Sequence, residues 1–318
     1  MRHRVRPAGP AGGIAVVGAA GFLGSALVTA ADRAGVRVAR YTRATPFLTA
    51  AGVPDRGLAA ARTVFWLASR VTPARAESDP ELVRADREAF AALLGALHGL
   101  PEPARVVLLS SGGTVYDPAA PPPYRESAPT RPRGAYGRAK LELEAALAAA
   151  GLPAGRTVTL RVSNVYGPGQ PAVSGQGVIG YWLRAAATGG QLTVYGDLAS
   201  TRDYVHVDDV AAAMLAVHRA PAGLLPPVLN VGSGAGTSLR ELVDTVQDVV
   251  GDPTLRWDLR PAREFDVPHT WLDVRLARDV LGWAATTRLR DGLAGAWRSV
   301  RHGLSALDAA GTGTGGPR

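Results

Sequence analysis

The 318-residue chain contains no cysteine. This absence excludes a disulfide framework, a thiolate nucleophile and a zinc site with cysteine ligands, and we predict no metal site. Long apolar runs are missing too, because the best ones, at 63–68 and 105–109, fall far short of the roughly 18 residues that a membrane span requires. Nothing in these absences excludes a cytoplasmic enzyme, which is our expectation.

Lysine and asparagine are almost absent. The single lysine is Lys140 and the only asparagines are Asn164 and Asn230, while arginine supplies all the other basic residues. This bias is typical of a GC-rich genome. It makes the formal net charge of +8 weak support for nucleic-acid binding, because the arginines are scattered among acids and form no stripe with aromatic residues. We expect neither a nucleic-acid partner nor a membrane partner.

Apolar residues make up 47% of the chain and glycines number 38, which suits one large or two modest domains. Arginines at positions 2, 4 and 6 precede an apolar stretch, as they would in a secretory signal, but glycines interrupt that stretch. We therefore predict a flexible leader over residues 1–12. The last ten residues, 309–318, lack apolar periodicity, and we predict a disordered tail there.

Between the two ends, strand-like apolar runs alternate with helical patterns. Such alternation predicts an α/β fold with a doubly wound parallel sheet covered on both faces. The predicted strands are 13–17, 36–39, 64–67, 106–109 and 158–162, and the predicted helices are 22–34, 56–62, 80–97 and 135–150. After Pro168 the texture changes to glycine-rich loops, short helices and scattered strands, which predicts a smaller second lobe.

A glycine-rich turn, Gly18-Ala-Ala-Gly21-Phe-Leu-Gly24, stands between the first predicted strand and helix. Without side chains at these positions the backbone can approach a pyrophosphate, and the helix N-terminus supplies free N–H donors and a partial positive charge. The turn predicts a dinucleotide site. Its candidate cofactor contacts are Gly18, Gly21, Phe22, Leu23 and Gly24.

The segment that closes the second strand, Ala39-Arg-Tyr-Thr-Arg43, contains no Asp or Glu. An acid at this place would bind the adenosine ribose of NAD, whereas an arginine can meet the 2′-phosphate of NADP through charge-assisted hydrogen bonds. The segment favours NADP(H), with Arg40 and Arg43 as candidates. NAD(H) stays open, because both residues could instead be ordinary surface arginines.

The second chemical motif is Tyr136-Gly-Arg-Ala-Lys140, on the helix predicted at 135–150. Side chains at i and i+4 share one face of a helix, so the ammonium of Lys140 can sit beside the phenol of Tyr136 and stabilise its ionised form. A tyrosine becomes a useful acid or base near neutral pH only with help of this kind. The motif predicts a catalytic pair.

With these motifs, the sequence resembles the extended short-chain dehydrogenase/reductases, that is, the NAD-dependent epimerase/dehydratase family that modifies nucleotide-sugars. The resemblance covers about residues 13–283. It depends on six further motifs in the family's order: Ser110-Ser-Gly-Gly-Thr-Val-Tyr116, Leu160-Arg-Val-Ser-Asn-Val-Tyr-Gly-Pro-Gly-Gln170, Tyr195-Gly-Asp197, Arg202-Asp-Tyr-Val-His-Val-Asp-Asp209, Asn230-Val-Gly-Ser-Gly234 and Leu281-Gly-Trp283.

The resemblance implies a Rossmann domain that binds NAD(P) over 13–168 and a substrate-binding lobe over 169–308, from which a segment near 200–232 returns to the Rossmann domain. Tyr136 would transfer the proton, and Lys140 would also hold the nicotinamide ribose. Relatives commonly form dimers, so a homodimer is also implied, although no heptad pattern supports it. The other implied contacts are Leu67, Ala68 and Ser69 along the cofactor, Asn164, Arg202 and Arg263 on the substrate diphosphate, and Val178 and Tyr195 around the nucleotide.

The chain departs from the family in two places. The serine or threonine that hydrogen-bonds the sugar in the family falls at Gly112, so Thr114 is our first substitute and Ser111 our second. The stretch 24–64 is short for the family, with no convincing third strand and no acidic adenine contact, and the nearest acid is Asp55.

Several activities fit these features. The first is NADPH-dependent reduction of a 4-keto-(deoxy)hexose attached to dTDP or UDP, with Tyr136 as the proton donor. The alternative is a UDP- or dTDP-hexose 4-epimerase with tightly bound NAD. A 4,6-dehydratase is disfavoured because Gly113-Thr114 replaces its Asp-Glu pair. Minor alternatives are a ketoreductase for a non-sugar natural product and a non-catalytic NADP-binding sensor.

Overall fold

The computed structural model describes residues 12–100, 102, 104–171 and 177–311. The predicted leader lies outside the described residues except for Gly12, and so do residues 312–318 of the predicted tail. The last helix, α10 (Leu289–Gly311), continues three residues into that tail. Ala309 and Ala310 explain this correction, because alanine is the strongest helix former.

Six parallel strands form the main sheet. Their bounds are β1 (Ile14–Val17), β2 (Val38–Tyr41), β3 (Thr63–Trp66), β4 (Arg105–Ser111), β5 (Thr157–Val162) and β10 (Val228–Val231). The spatial order is β10-β5-β4-β3-β1-β2, and the predicted doubly wound α/β fold is confirmed. Strand β2 begins two residues later than predicted, because the Val36 N–H still closes the preceding helix by bonding to the Ala31 carbonyl at 2.9 Å.

Helices cover both faces of this sheet. Their bounds are α1 (Phe22–Arg33), α2 (Arg56–Ala59), α3 (Pro73–Ser78), α4 (Pro80–His98), α5 (Ala135–Ala148), α7 (Val207–Arg219) and α9 (Arg275–Leu281). Ile14 and Val16 of β1 pack towards α1 and α7, while Ala15 and Val17 pack towards the face that carries α4 and α5. This two-residue alternation is the pleat of a strand buried on both sides.

Smaller elements after β5 build a second apolar core. They comprise β6 (Asn164–Tyr166), α6 (Val178–Ala187), β7 (Leu192–Tyr195), β8 (Thr201–Arg202), β9 (Tyr204–His206), β11 (Thr237–Ser238), α8 (Leu239–Val250), β12 (Trp257–Arg260) and β13 (His269–Thr270). Helices α6, α8 and α10 enclose this core around Trp182. A division of the chain at residue 168 stays a prediction. Among the described residues, no helix combines the length and the apolar character that crossing a bilayer needs.

A buried carboxylate connects the smaller elements to the main sheet. Asp203, which is 1% exposed, accepts hydrogen bonds from Ser163 Oγ at 3.1 Å and from the N–H and Oγ of Ser233, both at 2.7 Å. Its other oxygen accepts the N–H groups of Gly234 at 3.3 Å and Leu272 at 3.2 Å. Burial raises the pKa of Asp203, and these hydrogen bonds oppose the rise. The donors follow β5, β10 and β13, so one side chain joins three segments.

We expect Asp203→Asn to lower the free energy of unfolding by about 2–4 kcal/mol. In either orientation the amide NH₂ would face backbone N–H donors, which leaves buried donors unpaired. The matched control is Asp208→Asn, because the Asp208 side chain is 71% exposed, and its effect should stay below about 0.5 kcal/mol. Urea unfolding followed by circular dichroism measures both. Equal stability of the two variants would contradict the role of Asp203.

Candidate active site

A cavity of about 600 Å³ opens at the carboxyl ends of the parallel strands, where ligands bind in doubly wound folds. It is lined by residues that follow β1, β3, β4 and β5 and by residues of the smaller elements. All of the predicted site residues line it except Gly18, Arg40 and Arg43. The structure therefore brings together residues that are far apart in sequence.

The glycine turn leaves open backbone at the start of α1. Gly18 has φ of +97°, and a Cβ there would lie 2.7 Å from the Ala68 nitrogen. A Cβ at Gly24 would overlap the carbonyl oxygen of Gly18. Gly21 precedes the helix and no side chain caps it, so donors of the first turn stay available. These residues fit the pyrophosphate of a dinucleotide.

The segment between β2 and β3, where the family resemblance implies the adenine contact, is short. Residues 42–62 form only α2 and an isolated bridge. β3 therefore directly follows β2 in the chain, and the additional strand that the family pattern places between them does not form. Asp55 caps α2 by accepting the Leu58 N–H at 2.9 Å, and it also accepts the Tyr41 hydroxyl. This acid is therefore engaged within the fold.

The two arginines at β2 differ in their surroundings. Arg40 pairs with Asp32 at 2.8 Å, with both side chains about half exposed. Arg43 is exposed, and within the described part of the chain it forms no ion pair or side-chain hydrogen bond. Arg43 is thus the freer of the two cations.

Tyr136 and Lys140 lie on the inner face of α5. Lys140 is 8% exposed, and its Nζ lies 5.5 Å from the centroid of the Tyr136 ring. Gly134 provides no side-chain cap for this helix. Instead Glu77 of α3 accepts the Ala135 N–H at 2.6 Å, which fixes the start of the helix directly before Tyr136.

Leu272 fills the space beside Gly112. A Cβ at Gly112 would lie 2.6 Å from Leu272 Cδ1 and 3.1 Å from the Arg161 carbonyl oxygen, and Leu272 is 1% exposed. A serine or threonine side chain at position 112 would require the Leu272 side chain to move. The tight packing of the loop after β4 suits the glycine that stands there.

Thr114 supplies an unpaired hydroxyl close to α5. Its Oγ1 is one of three buried side-chain polar atoms without a hydrogen-bond partner among the described residues; the others are Trp66 Nε1 and His218 Nε2. A Cβ at Gly137, the residue after Tyr136, would overlap the Thr114 carbonyl oxygen, so the loop and α5 are in contact. Such orphaned groups in a cavity are candidates for ligand contact.

Two guanidinium groups lie in the same cavity. Burial lowers the pKa of Arg202; electrostatic interactions with Tyr204 and Asp266 oppose this decrease, and the charge of Arg263 adds to it. Arg202 donates to the carbonyl oxygens of Thr201 and Pro268 at 2.9 and 3.1 Å. A guanidinium in the cavity whose hydrogen-bond partners are carbonyl oxygens and not a carboxylate is a candidate contact for an anion.

Arg263 is held in place on three sides. Its guanidinium stacks between the rings of Tyr195 and Phe265, 5.0 and 4.8 Å from their centroids. Its Nε and Nη2 donate to the Asp266 carboxylate at 3.1 and 2.9 Å. The cation is therefore fixed before any ligand arrives.

The remaining predicted substrate contacts surround these cations. The exposed Asn164 side chain donates to the Asp203 carbonyl oxygen at 2.9 Å, which orients its amide. Val178 begins α6 and Tyr195 ends β7, and both line the cavity. Residues 172–176, which precede α6, lie outside the described part of the chain.

The sequence analysis missed Glu77, which lines the cavity, and Asp86, which accepts a hydrogen bond at 3.1 Å from the cavity residue Ser69. Asp86 lies on α4, between the buried residues Leu82 and Phe90 at i−4 and i+4. An acid on an apolar stripe is a visible signal, because that stripe faces the core. Burial raises the pKa of Asp86, while the charge of Lys140 and a hydrogen bond from Ser69 oppose the rise.

The sequence of this chain is similar to those of known proteins with a dinucleotide-binding fold. The model of the NAD dependent epimerase/dehydratase family matches residues 14–232. A dTDP-6-deoxy-L-talose 4-dehydrogenase (NAD(P)(+)) of Kitasatospora kifunensis is 35% identical over 230 residues, covering 69% of this chain and 70% of the relative. A UDP-glucose 4-epimerase of Mycolicibacterium smegmatis is 34% identical over 238 residues, covering 73% of each chain.

The fold of this chain is also similar to that of a solved structure. The structure of MoeE5 in complex with UDP-glucose and NAD is 31% identical to this chain, with a TM-score of 0.78, and the match covers 92% of this chain and 100% of that one. The resemblance drawn from the sequence motifs is thereby confirmed. The chain belongs to the NAD-dependent epimerase/dehydratase family, whose members include nucleotide-sugar epimerases, dehydrogenases and reductases.

Proposed function

We propose that this protein is an NADPH-dependent reductase of the 4-keto group of a (deoxy)hexose attached to dTDP or UDP. The observation that carries the proposal is that one cavity contains both the Tyr136–Lys140 pair and the cations Arg202 and Arg263. A proton donor and a diphosphate site in one cavity suit a nucleotide-sugar. The relative from Kitasatospora is a dTDP-sugar 4-dehydrogenase, and dehydrogenation is the reverse of ketone reduction.

The diphosphate of the substrate would lie between Arg202 and Arg263. Its negative charge would offset the burial that lowers the pKa of Arg202. Arg263 needs little ordering on binding, because Asp266, Tyr195 and Phe265 already hold it. Asn164 would add an amide donor to the same phosphates.

The chemistry at C4 requires a hydride and a proton. NADPH, bound along the glycine turn, would supply the hydride. Tyr136 would give its hydroxyl proton to the C4 oxygen, and the Lys140 ammonium would stabilise the phenolate that this leaves. Thr114 would donate its unpaired Oγ1 hydrogen to the same oxygen, in place of the side chain that Gly112 lacks.

A 4-epimerase is the second candidate. The relative from Mycolicibacterium is a UDP-glucose 4-epimerase, and MoeE5 was solved with UDP-glucose and NAD. An epimerase must retain its cofactor, because it takes a hydride from C4 and returns it to the other face. The absence of an acid at the end of β2 counts against tight binding of the NAD ribose.

Replacing Tyr136 by phenylalanine tests the proton donor. We expect Tyr136→Phe to lower kcat with a dTDP- or UDP-4-keto sugar by about 10²–10⁴, while the Kd for NADPH changes less than about twofold. NADPH consumption and a fluorescence titration measure the two quantities. The control is Tyr181→Phe, which removes the same hydroxyl outside the cavity and should keep full activity. Full activity of Tyr136→Phe would refute the assignment.

The unpaired hydroxyl of Thr114 has its own test. Thr114→Val should lower kcat by about tenfold to a hundredfold and leave the unfolding midpoint unchanged, because Oγ1 has no partner to lose. Thr114→Ser should retain most of the activity, and Ser111→Ala should lose less than Thr114→Val. A larger loss with Ser111→Ala would move the role to Ser111.

Cofactor choice separates the two candidate functions. Nucleotide released by denaturing the purified protein should contain no stoichiometric NAD, and the apo protein should bind NADPH more tightly than NADH. Arg43→Ala should weaken NADPH binding about tenfold and leave NADH binding unchanged. Arg37→Ala, an exposed arginine just before β2, is the matched control. Tightly bound NAD would instead identify an epimerase.

A further inference from the structure

A tight turn carries one of the two cavity cations. The Asp266 N–H bonds to the Arg263 carbonyl at 2.9 Å, and the Arg263 N–H bonds to Asp266 Oδ2 at the same distance. Glu264 and Phe265 occupy the middle of this turn. Turns usually place glycine, proline or short polar residues in their middle, so a large apolar ring at this place needs a separate explanation.

Phe265 contacts both halves of the site. It lines the cavity, and the centroid of its ring lies 4.8 Å from the guanidinium carbon of Arg263. Its Cβ is also close to the start of α5, because a Cβ built at Gly134 would lie only 3.3 Å from it. Gly134 directly precedes α5, and Tyr136 is the second residue of that helix. The phenylalanine therefore stands where the cation and the catalytic helix come together.

Two hydrogen bonds fix this arrangement. Arg133 Nη1 donates to the Asp266 carbonyl oxygen at 3.0 Å, which joins the turn to the loop before α5. Glu77 accepts the Ala135 N–H at 2.6 Å, at the first residue of the helix. Arg133 and Glu77 thus have partners within the protein, and the position of Phe265 is set before any ligand binds.

Other apolar side chains line the cavity beside the tyrosine. Val71, Pro73 and Val267 belong to its lining. Val71 is 5% exposed and packs against Tyr136. Apolar side chains offer no hydrogen bond to a hydroxyl group, so a hydroxyl that is buried against them loses its water without gaining a partner.

The proposed substrate constrains where its sugar lies. C1 of the sugar is joined to the diphosphate through one oxygen, while the C4 oxygen must reach the Tyr136 hydroxyl. The sugar ring therefore spans the space between Arg263 and Tyr136, which Phe265 borders. C5 is bonded to C4, so the group that C5 carries lies close to the tyrosine and to the apolar side chains beside it.

We propose that Phe265 is a specificity-determining residue, which together with Val71 forms an apolar wall for the methyl group on C5 of a 6-deoxyhexose. The preferred substrate is then a nucleotide-bound 4-keto-6-deoxyhexose. A hexose with a hydroxyl on C6 is disfavoured, because the wall leaves that hydroxyl unpaired. The inference rests on the proposed function, since the diphosphate site and Tyr136 are used to place the sugar.

Two sugar nucleotides that differ in a single hydroxyl test this wall. Both dTDP-6-deoxyglucose and dTDP-glucose already carry a hydroxyl on C4, so neither is reduced by protein saturated with NADPH, and calorimetry gives a Kd for each. We expect the wild type to bind dTDP-6-deoxyglucose about tenfold to a hundredfold more tightly. In Phe265→Asn, whose amide can pair with the C6 hydroxyl, the ratio of the two Kd values should fall below about threefold.

The control variant is Phe265→Leu, which removes the ring but keeps an apolar side chain and should retain the wild-type ratio. Losing the ring beside Arg263 would change the Kd of dTDP and of both sugar nucleotides alike, so this effect cancels in the ratio, and dTDP alone measures it. Equal or tighter binding of dTDP-glucose by the wild type, or an unchanged ratio in Phe265→Asn, would overturn the proposal.

This binding measurement is separable from the tests of the proposed function, because it requires no turnover. A 6-deoxy preference that Phe265→Asn removes, together with full activity of Tyr136→Phe, would retain the wall and refute the proton donor. Equal binding of the two sugar nucleotides, together with an inactive Tyr136→Phe, would refute the wall alone. Failure of dTDP itself to bind would refute the diphosphate site and this inference with it.

Discussion

The buried carboxylate of Asp203 is the constraint on which the geometry of the site depends. The carboxylate accepts hydrogen bonds from donors that follow β5, β10 and β13. The backbone carbonyl of the same residue accepts both the N–H and the side-chain amide of Asn164. Arg202 is its direct neighbour in the chain. Asn164 and Arg202, two of the residues proposed for the diphosphate, are therefore fixed relative to the main sheet, and α5 with Tyr136 packs against the same sheet. Several segments of the chain meet at the cavity. A buried polar group with its hydrogen bonds formed, such as Asp203, holds these segments in their relative positions.

The parts of the site that depend on local spacing were predictable, and those that depend on distant packing were not. The glycine turn and the Tyr136–Lys140 spacing are visible because a turn and a helix face are set by residues within one or two turns of each other. The two-residue strands β8, β11 and β13 have no periodicity to read. Leu272 could not be assigned to the space beside Gly112, since 160 residues of chain separate the two positions. Asp86 is visible in the sequence as an acid on an apolar stripe. Its hydrogen bond with Ser69 is not visible, because 17 residues of chain separate the two.

The short connection between β2 and β3 changes what the protein can offer a cofactor. The connection is stabilised internally, with Asp55 accepting the Tyr41 hydroxyl and the Leu58 N–H, and the rings of Phe47 and Trp66 meeting edge to face at 6.0 Å. Both hydrogen bonds use Oδ1 of Asp55, which orients the side chain within the connection. Arg40 is partly neutralised by Asp32, whereas Arg43 keeps its charge for an incoming phosphate. This contrast between two neighbouring arginines is the physical basis for favouring NADPH.

Two of the rarest residues of the chain, Asn230 and Lys140, occupy buried places where their particular chemistry is required. Asn230 is 0% exposed; it accepts the Tyr116 hydroxyl at 2.6 Å and donates to the carbonyls of Tyr124 and Asp273, so it needs both a donor and an acceptor. Lys140 presents a compact ammonium that can lie beside a phenol in a closed space, whereas a guanidinium is larger and planar. An ammonium also changes its proton occupancy with its surroundings, which an arginine does not. A chain that uses arginine almost everywhere thus retains its one lysine in a buried place, 5.5 Å from the centroid of the Tyr136 ring.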